Sequence, residues 1–276
     1  MPTRRPSASF TENHRPSRLD NIRVVLVRTF HPGNIGSVAR SMKTMGLTDL
    51  CLVAPKDFPS EEANKMAMSA QDIIETAMIV DDIPSAIKDC TIVVASTARI
   101  RGIDLPELTP EETAAAFMNT LGETHNTDNN VALVLGPERM GLHNDDIQHA
   151  THRVTIPTSP MMQSLNIAAA AQTLCYEIYK RHIQDIPAEH SNKGHLDTTG
   201  TLKETKARKP LANREDHERF YLHLEDTIKT TGFIREGHGG PIMLRLRALF
   251  ARAEPDKEEM NILRAILASI DKQLTR

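Results

Sequence analysis

The sequence is poor in cysteine: Cys51, Cys90 and Cys175 stand far apart and form no C-x-x-C pair. That excludes a disulfide framework and a thiolate zinc site, and it fits a protein of the reducing cytoplasm. No stretch reaches the ~18 uninterrupted apolar residues of a transmembrane helix, so no membrane partner is expected. The N-terminus, MPTRRPSASFTENHRPSR, is basic but lacks the apolar core of a signal peptide. Net charge is small, −3 over 276 residues, which argues against a chain that coats nucleic acid. There is no internal repeat and no cluster of metal ligands, so no metal is expected.

What is present is a folding pattern. Hydrophobic residues make up 39% and charged residues 25%, enough for a soluble core. Short β-branched runs recur at IRVVLV (22–27), DLCLV (49–53), MIV (78–80), TIVVAS (91–96), VALVLG (131–136) and RVTI (153–156). Runs without polar alternation suit strands buried on both faces. Helical patterns lie between them, at 35–45, 61–69, 84–88, 110–120, 143–150 and about 165–182, so a parallel α/β sheet is predicted. In the last of these, Leu165, Ala168, Ala169, Gln172, Leu174 and Tyr176 fall in the face-forming rows.

The sequence predicts four parts: a disordered basic tail over 1–19, the α/β domain over 20–183, a polar linker over 184–210 and a small helical module over 211–276. The module opens its second and third helices with Pro241 and Pro255, a residue suited to a first turn. Ile262, Leu263, Ile266, Leu267 and Ile270 follow helical spacing. From Lys203 onward the chain has 15 Lys and Arg against 12 Asp and Glu, so any RNA surface is a local patch.

Three segments carry candidate chemistry. In VRTFHPGNIGSVARSMKTMGL a strand, a turn and a helix follow one another, but Gly33 and Gly36 do not make the G-x-G-x-x-G of a dinucleotide loop. Taken alone, this reads equally well as a structural turn, and Arg40 as a solvated surface residue. LGPERMGL (135–142) follows a buried strand directly and places Gly136 and Glu138 at the strand's carboxyl end, where open α/β sheets bind ligands. TIPTSPMMQSLNIAAAAQTLCYEIYK (155–180) sets Ser164 and Asn166 at the mouth of a small-residue helix. Taken alone, Ser164 reads as a helix N-cap.

In this order, N-x-G-S-V-A-R, L-G-P-E-R-x-G-L and S-L-N-I-A resemble the SpoU branch of the SPOUT methyltransferases, and most of all the TrmJ family of tRNA ribose 2′-O-methyltransferases. GFIREGHGG, LRLRALFARA and MNILRAILASI resemble that family's helical extension. The resemblance implies an α/β fold with a SPOUT-type parallel sheet and a C-terminal trefoil knot, plus the all-α module. It further implies a homodimer, S-adenosyl-L-methionine as cofactor and tRNA as partner, with cytidine or uridine at position 32 of the anticodon loop as the target. Arg40, Asn34 and Ser164 would be catalytic. Ser96, Thr97, Ala98, Gly136, Glu138, Ile156, Gln163, Ser164, Leu165 and Asn166 would hold the cofactor, with Glu138 and Asn166 also supporting the loops. Arg99 and Arg101 would meet the RNA, and Arg235, Arg245, Arg247 and Arg252 would extend that track.

Two positions depart from the family pattern. Gln163 precedes Ser164 where the family often has a second serine, and Ser96-Thr97 inverts its Thr-Ser order. Two other readings stand beside the preferred one: a non-catalytic RNA-binding protein on the same scaffold, and a nicotinamide-dependent oxidoreductase with Asp57 as its ribose-binding acid.

Overall fold

A computed structural model describes residues 17–98, 105–122, 129–162, 164–185, 212–234, 240–253 and 255–274. Seven strands form one sheet: β1 (Ile22–Val27), β2 (Asp49–Val53), β3 (Met78–Val80), β4 (Cys90–Ser96), β5 (Glu107–Leu108), β6 (Asn130–Leu135) and β7 (His152–Val154). Their order is β3-β2-β1-β6-β4-β7-β5 and every pairing is parallel. All six residues of β1 are buried, because β2 and β6 flank it and helices cover both faces. That double burial is why its sequence shows no polar alternation; its one charged residue, Arg23, is buried and paired with Asp49 and Asp89.

The helices of this part are α1 (Pro32–Thr44), α2 (Glu61–Ala67), α3 (Gln71–Thr76), α4 (Ile83–Ile87), α5 (Pro110–Leu121), α6 (Asn144–Ile147) and α7 (Ile167–Gln184). On one face Ile22, Val24 and Leu26 meet Val38 and Met42 of α1, Phe117 of α5 and Leu174 and Ile178 of α7. On the other, Val25, Val27 and Val93 meet Ile83 and Ala86 of α4 and Ile147 of α6. Gly36 lets α1 pack closely on α2: a Cβ there would stand 2.1 Å from the Ala63 carbonyl oxygen and 2.8 Å from the Ala67 nitrogen.

The module consists of α8 (Arg214–Thr230), α9 (Gly240–Ala253) and α10 (Lys257–Leu274), packed on Phe220, Tyr221, Met243, Met260 and Leu267. It touches the sheet domain through α8. The Glu215 N–H donates to the Lys88 carbonyl at 2.9 Å. Glu218 accepts from both terminal nitrogens of the Arg247 guanidinium, at 2.6 and 2.9 Å, and lies 3.9 Å from the His149 ring of the sheet domain.

Several expectations change here. Ser17–Leu19 do not belong to a disordered tail: Ser17 caps a short 3-10 turn (Arg18–Asn21), and Arg18 and Leu19 are buried. The rest of the tail lies outside the described residues, as does most of the linker, although α7 runs on to Gln184 and Asp185 pairs with Arg18. Arg247 is bound to Glu218 and is no free RNA contact, while Arg245 and Arg252 are exposed and Arg235 is outside the described residues. Pro255 precedes its helix by two residues instead of opening it. On α10 only Met260 and Leu267 are buried; Ile262, Ile266 and Ile270 face outward despite their helical spacing. Tyr176 of α7 is likewise exposed, and Leu165 precedes that helix. β5 and α3 were not foreseen, because two and six residues are too short to show a period.

Two tests follow from this packing. Gly36→Ala drives a methyl group into the α2 backbone, so it is expected to lower stability by roughly 1–3 kcal/mol, read as a fall in melting temperature. At the junction, burial and the adjacent Arg214 push His217 down to about 4, so the folded protein holds it neutral. Burial works to raise the Glu218 carboxyl, but His149, Arg247 and Arg214 outweigh it and hold it well below the carboxylate range. Both folded values lie below the unfolded ones, so this stability is present near neutrality and is lost on acidification. For His217 the loss begins near pH 6.5 and amounts to roughly 3 kcal/mol by pH 4. Melting curves of His217→Gln should show a flatter dependence over that window than those of the native chain.

Candidate active site

β4, β6 and β7 lie side by side in the sheet, and the loops that leave their carboxyl ends enclose a cleft. It is lined by Ser96, Thr97 and Ala98 from the end of β4, by Leu135 through Gly141 from the end of β6, and by Ile156, Thr158, Ser164, Leu165, Ile167 and Ala170 after β7. The cleft takes in about 810 Å³ of space, part of it open to solvent. Its position matches the edge at which parallel sheets bind ligands, since the strands' chain reversals leave backbone groups free there.

The loop after β6 doubles back sharply. A Cβ on Gly136 would stand 2.4 Å from the Leu142 nitrogen and 2.6 Å from the Gly141 carbonyl carbon, so only glycine fits. The loop's far end is pinned by Arg28, a non-glycine residue at φ 47° just past β1. Its guanidinium forks onto the Asp146 carboxylate, with Nη1 donating to Oδ1 at 3.0 Å, and Asp146 also accepts the His143 N–H at 2.7 Å. Burial works to raise the Asp146 carboxyl, but Arg28 and the His143 N–H hold it below its ordinary value. Neither Arg28 nor Asp146 was singled out from sequence, because 118 residues separate the partners.

A chain of hydrogen bonds joins the three motifs at the lip of the cleft. Asn166 Nδ2 donates to Asn34 Oδ1 at 3.2 Å, and Asn34 Nδ2 donates to Glu138 Oε1 at 2.7 Å. The Glu138 carboxylate also accepts the backbone N–H groups of Phe30 (3.1 Å) and His31 (3.3 Å). Partial burial works to raise the Glu138 carboxyl. The Asn34 amide and the backbone donors outweigh it, so the group stays ionised below the usual carboxylate range. With one side chain saturated in this way, segments 104 and 132 residues apart acquire a fixed relative position.

Of the residues expected at the cofactor, Ser96, Thr97, Ala98, Gly136, Glu138, Ile156, Ser164 and Leu165 all line the cleft. Gln163 lies outside the described residues, as do Arg99 and Arg101. Asn166 does not line it; it caps α7 instead, its side chain accepting the Ala168 N–H at 2.8 Å. The N-cap reading of Ser164 is therefore corrected, and Ser164 is released to face the cleft. Asn34 is not among the lining residues but is bonded to Glu138, which is. Arg40 is exposed and is not among the lining residues. The helix explains this, since six residues along α1 turn the side chain by about 120° from Asn34 and carry it about 9 Å along the axis.

Known proteins bear on the chain as follows. Residues 21–176 match the SpoU rRNA methylase family, and residues 215–276 match the C-terminal domain of the tRNA methyltransferase TrmJ. The tRNA (cytidine/uridine-2′-O-)-methyltransferase TrmJ of Citrobacter koseri is 46% identical over 92% of this chain and 98% of its own length. The crystal structure of TrmJ from Z. mobilis superposes with a TM-score of 0.73 at 29% identity, over 90% of this chain and 98% of that one. A probable methylase family protein from Haemophilus influenzae gives 0.56 at 32% identity, over 93% and 98%. A cleft at the carboxyl edge of a parallel sheet, the three motifs tied at its lip and the helical tail thus agree with these matches: the chain belongs to the SpoU methylase family and carries the TrmJ C-terminal domain.

Proposed function

We propose that the chain is an S-adenosylmethionine-dependent tRNA methyltransferase acting on a ribose 2′-hydroxyl, with cytidine or uridine at position 32 of the anticodon loop as its target. The observation that carries this reading is the Asn166–Asn34–Glu138 chain, which fixes three distant segments around one cleft. The wall fits the cofactor's mixed chemistry. Leu135, Ile156, Leu165 and Ile167 offer apolar surface, and Ser96, Thr158 and Ser164 offer hydroxyls. When bound, S-adenosylmethionine supplies a methyl group already activated on a sulfonium, so the protein's task is orientation and removal of one proton.

Glu138 acts through position. Its oxygens are engaged by Asn34, Phe30 and His31, so it braces the loop that the cofactor rests on and is not free to take a proton. Arg40 is the group that meets the RNA. A guanidinium stays protonated in a protein, so Arg40 orients the ribose-phosphate and polarises the attacking oxygen, and the proton passes to a phosphate. Because Arg40 is exposed and turned from the cleft of its own chain, the reading is a homodimer in which Arg40 of one protomer reaches its partner's cleft. Tyr176 and Ile183, exposed on α7 beside α1, support such an interface.

In the same reading the loops after β6 and β7 form the trefoil knot. β6 lies between β1 and β4, whereas the chain then passes α6 on one face and returns as α7 on the other. The sheet domain and the helical module are two units joined by the segment before Ala212, and the protein works in the cytoplasm. No helix among the described residues is long and apolar enough to cross a membrane.

The reading is tested by mapping ribose methylation in tRNA incubated with the protein and cofactor, with calorimetry for cofactor binding. Methylation at position 32 is expected; binding of cofactor without transfer would favour the non-catalytic scaffold. Arg40→Ala should lower kcat by about 100-fold, as loss of a transition-state donor does. Arg40→Lys should recover little, because lysine cannot reproduce a bidentate contact; near-normal turnover of that variant would refute the role. Glu138→Gln should weaken cofactor affinity several-fold without abolishing it, since one amide nitrogen is forced against donors the carboxylate accepts.

A further inference from the structure

Beside the cleft lies a cluster that the proposed chemistry leaves unused. Phe30 is 38% exposed, in a chain with no tryptophan and seven phenylalanines. The Lys56 ammonium stands 4.3 Å from its ring centroid and the Arg139 guanidinium carbon 5.0 Å, while the His31 ring meets it edge-on at 5.2 Å. Among the described residues neither Lys56 nor Arg139 forms an ion pair with an acid. The neighbouring carboxylate, Glu138, is already committed to Asn34 and two backbone donors.

The cluster is fixed relative to the cleft. The Phe30 N–H is bonded to Glu138, the Lys56 N–H donates to the Thr29 carbonyl at 3.3 Å, and Arg139 itself lines the cleft wall. An exposed ring attended by cations without acid partners is the combination that binds single-stranded nucleic acid: bases stack on the ring, and cations take phosphates. A duplex is a poor fit, since its bases are already stacked. An unpaired loop nucleotide suits it.

We propose that Phe30, Lys56 and Arg139 form a subsite for the nucleotide adjoining the one that is methylated. Phe30 stacks on its base, and Lys56 and Arg139 leave the ring to bind the flanking phosphates. This rests on the tRNA reading given above, and it adds a positioning group that sets the register of the loop at the cleft.

The test uses the full-length protein with tRNA and measures KM, kcat, equilibrium binding and its salt dependence. Phe30→Ala should raise KM for tRNA about tenfold, within what loss of a stacked aromatic costs, and leave kcat within twofold. Calorimetric affinity for S-adenosylmethionine should be unchanged. Phe30→Tyr should restore KM, whereas Phe30→Leu should not. Lys56→Ala should reduce the slope of log affinity against log salt by about one, as loss of one phosphate contact does. Native KM in Phe30→Ala, or full rescue by leucine, would overturn the subsite while leaving the function intact. If the native chain neither bound nor methylated tRNA, the function reading would fall and this one with it.

Discussion

The site depends on one carboxylate that has no freedom left. Glu138 accepts from Asn34 and from two consecutive backbone N–H groups, and that engagement joins the end of β1, the start of α1 and the loop after β6. Asn34 then passes the constraint to Asn166 and the start of α7. Each bond alone is modest. Their effect is geometric, because a charged acceptor that is satisfied from three directions tolerates only one arrangement of the segments around it. Such bracing matters at the cleft wall, because the chain after β6 leaves the sheet ladder at Leu135.

The second brace works from below. Arg28 sits in the left-handed region, a strained conformation for a residue with a side chain, and its forked contact with Asp146 compensates by fixing the far end of the same loop. The loop is therefore anchored at Glu138 on one side and at Asp146 on the other. Gly136, at the start of the loop, permits the fold-back onto Gly141 and Leu142. Two ionised carboxylates and one glycine thus shape a wall whose sequence, LGPERMGL, shows only that a tight loop is needed.

Much of the sheet was legible because the strands that matter are buried on both faces. IRVVLV and DLCLV have the same bounds in the structure as in the sequence, for their apolar runs are buried and their two charged residues, Arg23 and Asp49, pair with each other across the strands. β5, paired only with β7 at the sheet's edge, has no such pattern. At the site, the residue types were legible and their directions were not. Ser164 and Asn166 both suit a helix start, and only the backbone decides that Asn166 caps it. Arg40 was visible as an odd residue, but its outward turn follows from the helix phase relative to Asn34. Arg28, Asp146 and Phe30 carried no local signal at all, since each acquires meaning from a partner far along the chain. On α10 the reverse occurred: a clean period at Ile262, Ile266 and Ile270 marked a face that the module's core does not use.

The inverted Ser96-Thr97 pair shows why a departure from the family's side chains need not disturb this site. Thr97 donates its backbone N–H to Val154 at 3.1 Å, and its carbonyl accepts the Thr155 hydroxyl at 3.2 Å. Those bonds tie the end of β4 to the end of β7 whichever of the two hydroxyl residues comes first. In the proposed reading, the cofactor meets the main chain at this edge and the RNA meets the exposed side chains of the rim.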